Sequence, residues 1–287
     1  MNIHDVKKVA VIGCGLMGQQ ISMNAAISGY QVALFDNFEQ ARAKAAAWAE
    51  EYLAGRIAKG RLTAEQVEDV KRRYTICETL EDAAGDADLV IEAIIESQEA
   101  KENLFRQLDP VVRKDTIIAT NSSFMVSSLF ADCISNPSRL ANAHYYNPAL
   151  VMKFVEVVRG PHTSDETAKT LMDFCTNCGK TPVLMKKELP GFLANMISEA
   201  MYNACWYLLE NDYCTFKDID IACENGLGHK MGPFRKIDLT GVDLAYQIHH
   251  GNLERTGVKD PGYDILKELY EQGRYGMKNG KGFYDYT

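Results

Sequence analysis

Residues 8–36 read KVAVIGCGLMGQQISMNAAISGYQVALFD. Lys8 to Ile12 is a short run of β-branched residues, the pattern of a buried strand. Gly13-x-Gly15-x-x-Gly18 follows at once. A helix is expected from about Leu16 to Ser28, closed by Gly29. Gln31 to Phe35 then forms a second strand that ends at Asp36. Strand, glycine turn, helix and strand make a βαβ unit with parallel strands, because a right-handed helical crossover returns the chain in the same direction.

The glycines in this setting point to a dinucleotide. Gly13 permits a tight turn. Gly15 has no side chain to keep the backbone away from a pyrophosphate, and Gly18 lets helix and strand pack closely. Leu16 and Met17 lie in the same loop, where free N–H groups at the helix start would meet the diphosphate. Asp36, 18 residues after Gly18, would accept hydrogen bonds from the adenine-ribose hydroxyls and repel a 2′-phosphate. Asn37 stands where an Arg would favour NADP. The residues therefore select NAD, with a structural glycine turn and FAD as the weaker readings.

Outward from this unit, residues 38–73 read as a helical hairpin with a break at Gly60 and a new start at Thr63-Ala64-Glu65. Short apolar strands are expected at 74–77, 89–93, 116–119, 139–143, 153–158 and 182–185, with helices at 99–108 and 164–177. After Lys187 the pattern changes. Leu189-Pro190-Gly191 interrupts the chain, and residues 191–211, 216–226, about 238–251 and 262–272 read as helices. The expected fold is α/β: an N-terminal Rossmann-like, doubly wound sheet with a helical-hairpin insertion over residues 1–188, followed by an all-α domain over 189–287.

Composition narrows the functional classes. Among 287 residues, 46% are hydrophobic and 24% charged, which suits a globular chain and excludes low-complexity disorder. A net charge of -8 disfavours nucleic acid, whose binding requires phosphate neutralisation by Lys and Arg. Cysteines at 14, 77, 133, 175, 178, 205, 214 and 223 are too sparse for a disulfide scaffold and suit a reducing cytoplasm. Cys175 and Cys178 form a lone CxxC without a second pair at zinc spacing, so no metal is expected. Residues 9–35 carry no charged side chain. Polar residues and Gly29 interrupt that run, and its apolar start is too short for a signal peptide, so neither membrane span nor leader is expected.

Two polar stretches follow strands. Thr120-Asn121-Ser122-Ser123 comes after Ala119, and His144-Tyr145-Tyr146-Asn147-Pro148 comes after Ala143. Substrates of open α/β sheets lie beyond the carboxyl ends of the strands. Glu156 lies between Val155 and Val157, where a buried charge needs a partner. His144 is the natural one. A His–Glu pair suits proton transfer that accompanies hydride exchange, since imidazole titrates near neutrality and a carboxylate orients it.

These motifs together resemble the L-3-hydroxyacyl-CoA dehydrogenase family, and within it the short-chain bacterial 3-hydroxybutyryl-CoA dehydrogenases. The resemblance runs over nearly the whole chain: VIGCGLMGQQI at 11–21, EAIIESQEAKENLF at 92–105, ATNSS at 119–123, AHYYNPALVMKFVEVV at 143–158, PGFLAN at 190–195, GLGHKMGPFRKIDLTGVD at 226–243 and GMKNGKGFYDY at 276–286. It implies that His144 takes the hydroxyl proton, that Glu156 polarises it, and that Ser123 and Asn195 contact the substrate oxygen. It implies cofactor contacts for Glu96, Lys101, Ser123, Asn147 and Lys278. It further implies CoA contacts on the hairpin for Tyr52, Arg56 and Lys59, and a homodimer through the C-terminal helices. Tyr145 and Tyr146 depart from the two phenylalanines usual in the family. Lys230, Arg235-Lys236 and Phe124-Met125 also differ, which leaves the acyl-chain preference open. A dehydrogenase of a CoA-free hydroxy acid, of gulonate or carnitine type, and a non-catalytic NAD-binding protein remain as alternatives.

Overall fold

The computed structural model describes residues 2–286. Contacts divide the chain into two compact units, up to Leu193 and from Ala194 onward. The first unit runs β1 (Lys8–Ile12), α1 (Leu16–Ile27), β2 (Gln31–Phe35), α2 (Glu39–Ala58), α3 (Ala64–Arg73), β3 (Tyr74–Ile76), α4 (Leu80–Ala84), β4 (Leu89–Glu92), α5 (Gln98–Leu108), β5 (Ile117–Thr120), β6 (Leu140–Tyr145), β7 (Phe154–Val158), α6 (Asp165–Asn177) and β8 (Thr181–Met185). The strands form one eight-stranded sheet in the order β3-β2-β1-β4-β5-β6-β7-β8. Every pairing is parallel except β6 with β7.

Both faces of this sheet are covered, which explains why its strands read as apolar runs rather than alternating ones. Successive side chains point to opposite faces. Val9 and Val11 join one buried cluster with Ile21 and Met23 of α1, while Ala10 and Ile12 join another with Leu104 and Phe105 of α5. The hairpin begins its second helix at Thr63, whose hydroxyl accepts from the Gln66 N–H while the Gln66 side chain accepts from the Thr63 N–H. That reciprocal cap satisfies donors the helix leaves free.

The second unit is helical. Helix α7 (Phe192–Glu210) begins at the boundary, followed by α8 (Phe216–Ile221), α9 (Pro233–Thr240), α10 (Val242–Thr256) and α11 (Tyr263–Glu271). Helix α8 runs on into a π turn over Ala222–Gly226. Trp206, Phe234 and Phe283 pack at its centre. One expectation is corrected here. The single helix expected at about 238–251 is two helices, broken at Gly241, whose φ is +112°. Pro233 at the first turn starts α9 earlier than the sequence suggested, since proline lacks only an N–H that would be free there. Asp238 therefore sits inside α9, fully buried. Its carboxylate accepts from the Phe283 N–H at 2.8 Å, the Tyr284 N–H at 2.9 Å and the Tyr286 hydroxyl at 2.8 Å.

Candidate active site

The glycine turn is built as its composition requires. Gly13 has φ +113° and donates to the Phe35 carbonyl at 2.7 Å, which ties the turn to β2. A Cβ there would lie 2.4 Å from the Ala93 carbonyl oxygen. One on Gly18 would lie 1.8 Å from the Gly13 carbonyl oxygen, so α1 can approach the loop only without a side chain. Gly15 differs: a Cβ there would meet nothing within 4 Å. It is the N-cap of α1 and supplies no side-chain cap. The first-turn N–H groups thus open onto a cleft of about 1410 Å³, lined among others by Leu16, Met17, Asp36, Glu96, Lys101 and Ser123.

Asp36 lines the same cleft. Its Oδ2 accepts from the Cys14 N–H at 2.8 Å and its Oδ1 from the Phe38 N–H at 2.9 Å, so the carboxylate is fixed by the loop it serves. Arg42 donates to the Asp36 backbone carbonyl at 2.7 Å. Burial first, then the neighbouring Asp36 charge, pushes the Cys14 thiol up to about 12, which leaves it inert.

A buried ion pair underlies the opposite wall. Lys101, 1% exposed, places its ammonium 2.6 Å from Oε1 of Glu92, the fully buried last residue of β4. The other oxygen of Glu92 accepts from the Thr120 hydroxyl at 2.6 Å. Lys101 also reaches Glu96 Oε2 at 3.3 Å. Glu96 in turn accepts from the Ser122 hydroxyl and, at 3.0 Å, from the Ser123 N–H. Burial pushes the Glu96 carboxyl up, but Ser122 and Lys101 more than offset this and hold it below the usual range. Ser123 is exposed, and its hydroxyl is unpaired among the described residues.

The antiparallel pairing of β6 with β7 sets His144 directly opposite Glu156. His144 Nδ1 lies 2.8 Å from Glu156 Oε2, with His144 4% exposed and Glu156 fully buried. A carboxylate only accepts, so Nδ1 carries the hydrogen and Nε2 is left as the ring's free acceptor. The Tyr146 hydroxyl donates to the same Oε2 at 2.9 Å. Phe192, buried at the start of α7 with φ +58°, places its ring 5.4 Å from that of His144. The Tyr145 N–H is held by Asn121 Oδ1 at 2.9 Å, which ties the TNSS loop to the end of β6.

A family model described as 3-hydroxyacyl-CoA dehydrogenase, NAD binding domain, matches residues 8–189, and one for the C-terminal domain of the same family matches residues 191–286. The chain belongs to the 3-hydroxyacyl-CoA dehydrogenase family. It is 35% identical over 285 residues to a probable 3-hydroxybutyryl-CoA dehydrogenase of Bacillus subtilis, covering 98% of each chain. It is 36% identical over 290 residues to the human mitochondrial hydroxyacyl-coenzyme A dehydrogenase, covering 98% of this chain and 91% of that one. Among solved structures, an (S)-3-hydroxybutyryl-CoA dehydrogenase from Ralstonia eutropha superposes with a TM-score of 0.85 at 29% identity, covering 99% of this chain and 100% of that one.

NAD is the cofactor of this family's N-terminal domain, and the residues fit it. The cradle above Gly15 is open where a Cβ would fill it, the helix start is uncapped, and Asp36 presents a fixed carboxylate. The remaining expected residues sit on other elements. Asn147 is exposed in the loop after β6 and does not line the cleft. Asn195 is half-buried on α7 in the second unit, and Lys278, also there, is paired with Asp243 at 2.5 Å. On α2, Tyr52 stacks on Trp48 with centroids 5.2 Å apart, Arg56 lies 5.8 Å over the Tyr52 ring, and Lys59 is exposed at the helix end.

Sequence reasoning missed Glu92, Arg42 and Phe192, and gave Tyr146 no role. A lone Glu closing the apolar run Leu89–Ile91 was the available sign for Glu92. Cys175 and Cys178 are free, buried thiols near the end of α6, each pushed up to about 12 chiefly by burial. Among the described residues, no helix is long and apolar enough to cross a membrane.

Proposed function

We propose that this family member interconverts a short-chain (S)-3-hydroxyacyl-CoA, 3-hydroxybutyryl-CoA first, with the 3-oxoacyl-CoA, using His144 and Glu156 as its acid–base pair. The observation that carries the reading is the buried 2.8 Å bond between His144 Nδ1 and Glu156 Oε2. NAD, held by the Gly13–Gly18 loop and Asp36, would supply the hydride acceptor for C3 in oxidation and, as NADH, the donor in reduction. In oxidation, the proton of the C3 hydroxyl goes to His144 Nε2. Glu156 holds the ring so that Nε2 faces the substrate and stabilises the imidazolium that forms. In reduction the same proton returns to the carbonyl oxygen. The unpaired hydroxyl of Ser123 and the side chain of Asn195 position that oxygen, Asn147 serves the nicotinamide end of the cofactor, and Lys278 contacts the cofactor.

Tyr52, Arg56 and Lys59 supply the CoA contacts: an aromatic face for adenine and two cations for the phosphates. An acidic chain needs such a local patch. We assign a functional boundary near residue 188. The second domain pairs with another copy, for which the exposed Met196, Ile197 and Tyr207 of α7 offer apolar surface. A reducing cytoplasm suits the eight free cysteines.

Initial rates of NADH oxidation test the reading, with acetoacetyl-CoA and free acetoacetate in parallel and both repeated with NADPH. Fast turnover of the CoA ester with NADH alone is expected. Equal turnover of free acetoacetate overturns the CoA assignment, and a monomer by light scattering at micromolar concentration overturns the dimer.

A further inference from the structure

We propose that Tyr146 is a positioning residue of the His144–Glu156 pair, whose hydroxyl shares Glu156 Oε2 with the imidazole and so sets the pH range over which His144 accepts a proton. This rests on the acid–base reading of His144 above. Oε2 receives His144 Nδ1 at 2.8 Å and the Tyr146 hydroxyl at 2.9 Å. The two rings pack at 4.6 Å between centroids, and Phe154 backs Tyr146 at 5.3 Å. The hydroxyl is therefore fixed by packing on both sides rather than free to swing toward water.

The adjacent Tyr145 supplies an internal contrast. Both positions carry tyrosine where the resemblance leads one to expect phenylalanine. Tyr145 is buried on the other side of the strand, as alternation requires, with its hydroxyl 3.6 Å from Cys175 Sγ. Only Tyr146 places its added oxygen on the acid–base pair.

The physical effect has a definite sign. An O–H donated to a carboxylate sets the positive end of its dipole at the oxygen that binds the imidazole. It disperses the charge that would otherwise hold an imidazolium. Burial, and then the bond to Glu156, pushes the Tyr146 hydroxyl well above its ordinary range, so it remains a donor throughout the working pH range. Among the described residues, Glu156 from β7, Tyr146 from the end of β6 and Phe192 from α7 pack against His144, and of these the last does not titrate. Removing the hydroxyl takes that dipole away from Oε2, and the imidazolium persists to higher pH.

The test is Tyr146→Phe in the full-length protein, with Tyr145→Phe beside it. The first readout is the ¹⁵N titration of the His144 imidazole by NMR, assigned by its absence in His144→Gln. In Tyr146→Phe the midpoint is expected to rise by about 0.5–1 pH unit, while Tyr145→Phe leaves it in place. The second readout is the pH profile of kcat in both directions. In Tyr146→Phe the acid limb of hydroxyacyl oxidation and the basic limb of oxoacyl reduction both move up by the same amount. KM changes less than about twofold, since the hydroxyl touches no substrate in this arrangement.

A midpoint in Tyr146→Phe that superimposes on wild type overturns the proposal whatever the rates do. An equal rise in Tyr145→Phe also overturns it, because the shift then reports general loosening of the strand. A raised midpoint with wild-type protein that turns over none of the substrates supports the positioning role of Tyr146 and sinks the functional reading instead, so the two failures are distinguishable.

Discussion

Glu92 and Glu156 are the same chemical group in comparable surroundings: both fully buried, both in the one sheet, both with a nitrogen within 2.8 Å. They differ in the partner. Glu92 faces the ammonium of Lys101 and is also bonded to Thr120 and to the Ile94 N–H at 2.8 Å. Glu156 faces His144, whose charge can change. A buried carboxylate opposite a permanent cation locks a wall, whereas one opposite an imidazole can take part in proton transfer. Burial alone does not mark a carboxylate for proton transfer; the identity of the group that faces it decides.

The largest expected effect falls on the second region. His144→Gln keeps the ring's volume roughly and its contact with Glu156, so thermal unfolding should stay near wild type. Turnover of acetoacetyl-CoA should fall about 10²–10⁴-fold, with NAD binding retained by fluorescence titration. Unchanged turnover would break the comparison by removing the chemical role. Lys101→Met does the reverse. It strands Glu92 without its cation and should lower unfolding free energy by about 3–5 kcal/mol in urea titrations. Adding Glu92→Gln should recover part of that loss, because the uncompensated charge is then gone. If Lys101→Met leaves stability intact, the pair is no lock.

The glycine turn repeats the contrast on a smaller scale. Gly18→Ala forces a methyl onto the Gly13 carbonyl, and overpacking of this kind should cost about 1–3 kcal/mol of stability. Gly15→Ala meets no protein atom and its φ of -70° suits any residue. Stability should remain within about 0.5 kcal/mol, while NAD binding weakens by roughly tenfold, equivalent to ~1.4 kcal/mol. Equal stability of the two variants by thermal melting would dissolve this distinction.

Much of the fold was legible because local chemistry and tertiary need coincide in the first unit. The strand KVAVI is buried on both faces, and the helix after it is uncharged because it too is covered. Gly13, Gly15, Gly18 and Asp36 were readable for the same reason: backbone geometry demands those residue types. The break at Gly241 was not, since a glycine between Thr240 and Val242 reads as tolerated within a helix until Asp238 is known to be anchored from 283–286. Helix α4 was missed because it has only five residues, too few to show a period. Within the site, His144 with Glu156 followed from the need to partner a buried charge. The bond from Tyr146 depends on where β6 ends and its side chain turns, which no spacing encodes.

The anchoring of Asp238 has a consequence for the order in which the molecule is made. Its three donors belong to Phe283, Tyr284 and Tyr286, the first of them 45 residues further along the chain. A ribosome that has delivered α9 has not yet delivered the groups that make its buried carboxylate tolerable. The second unit therefore cannot close in the order of its helices. It waits for residues 283–286, and a nascent chain halted before residue 283 would hold α9 with an acid that still needs water.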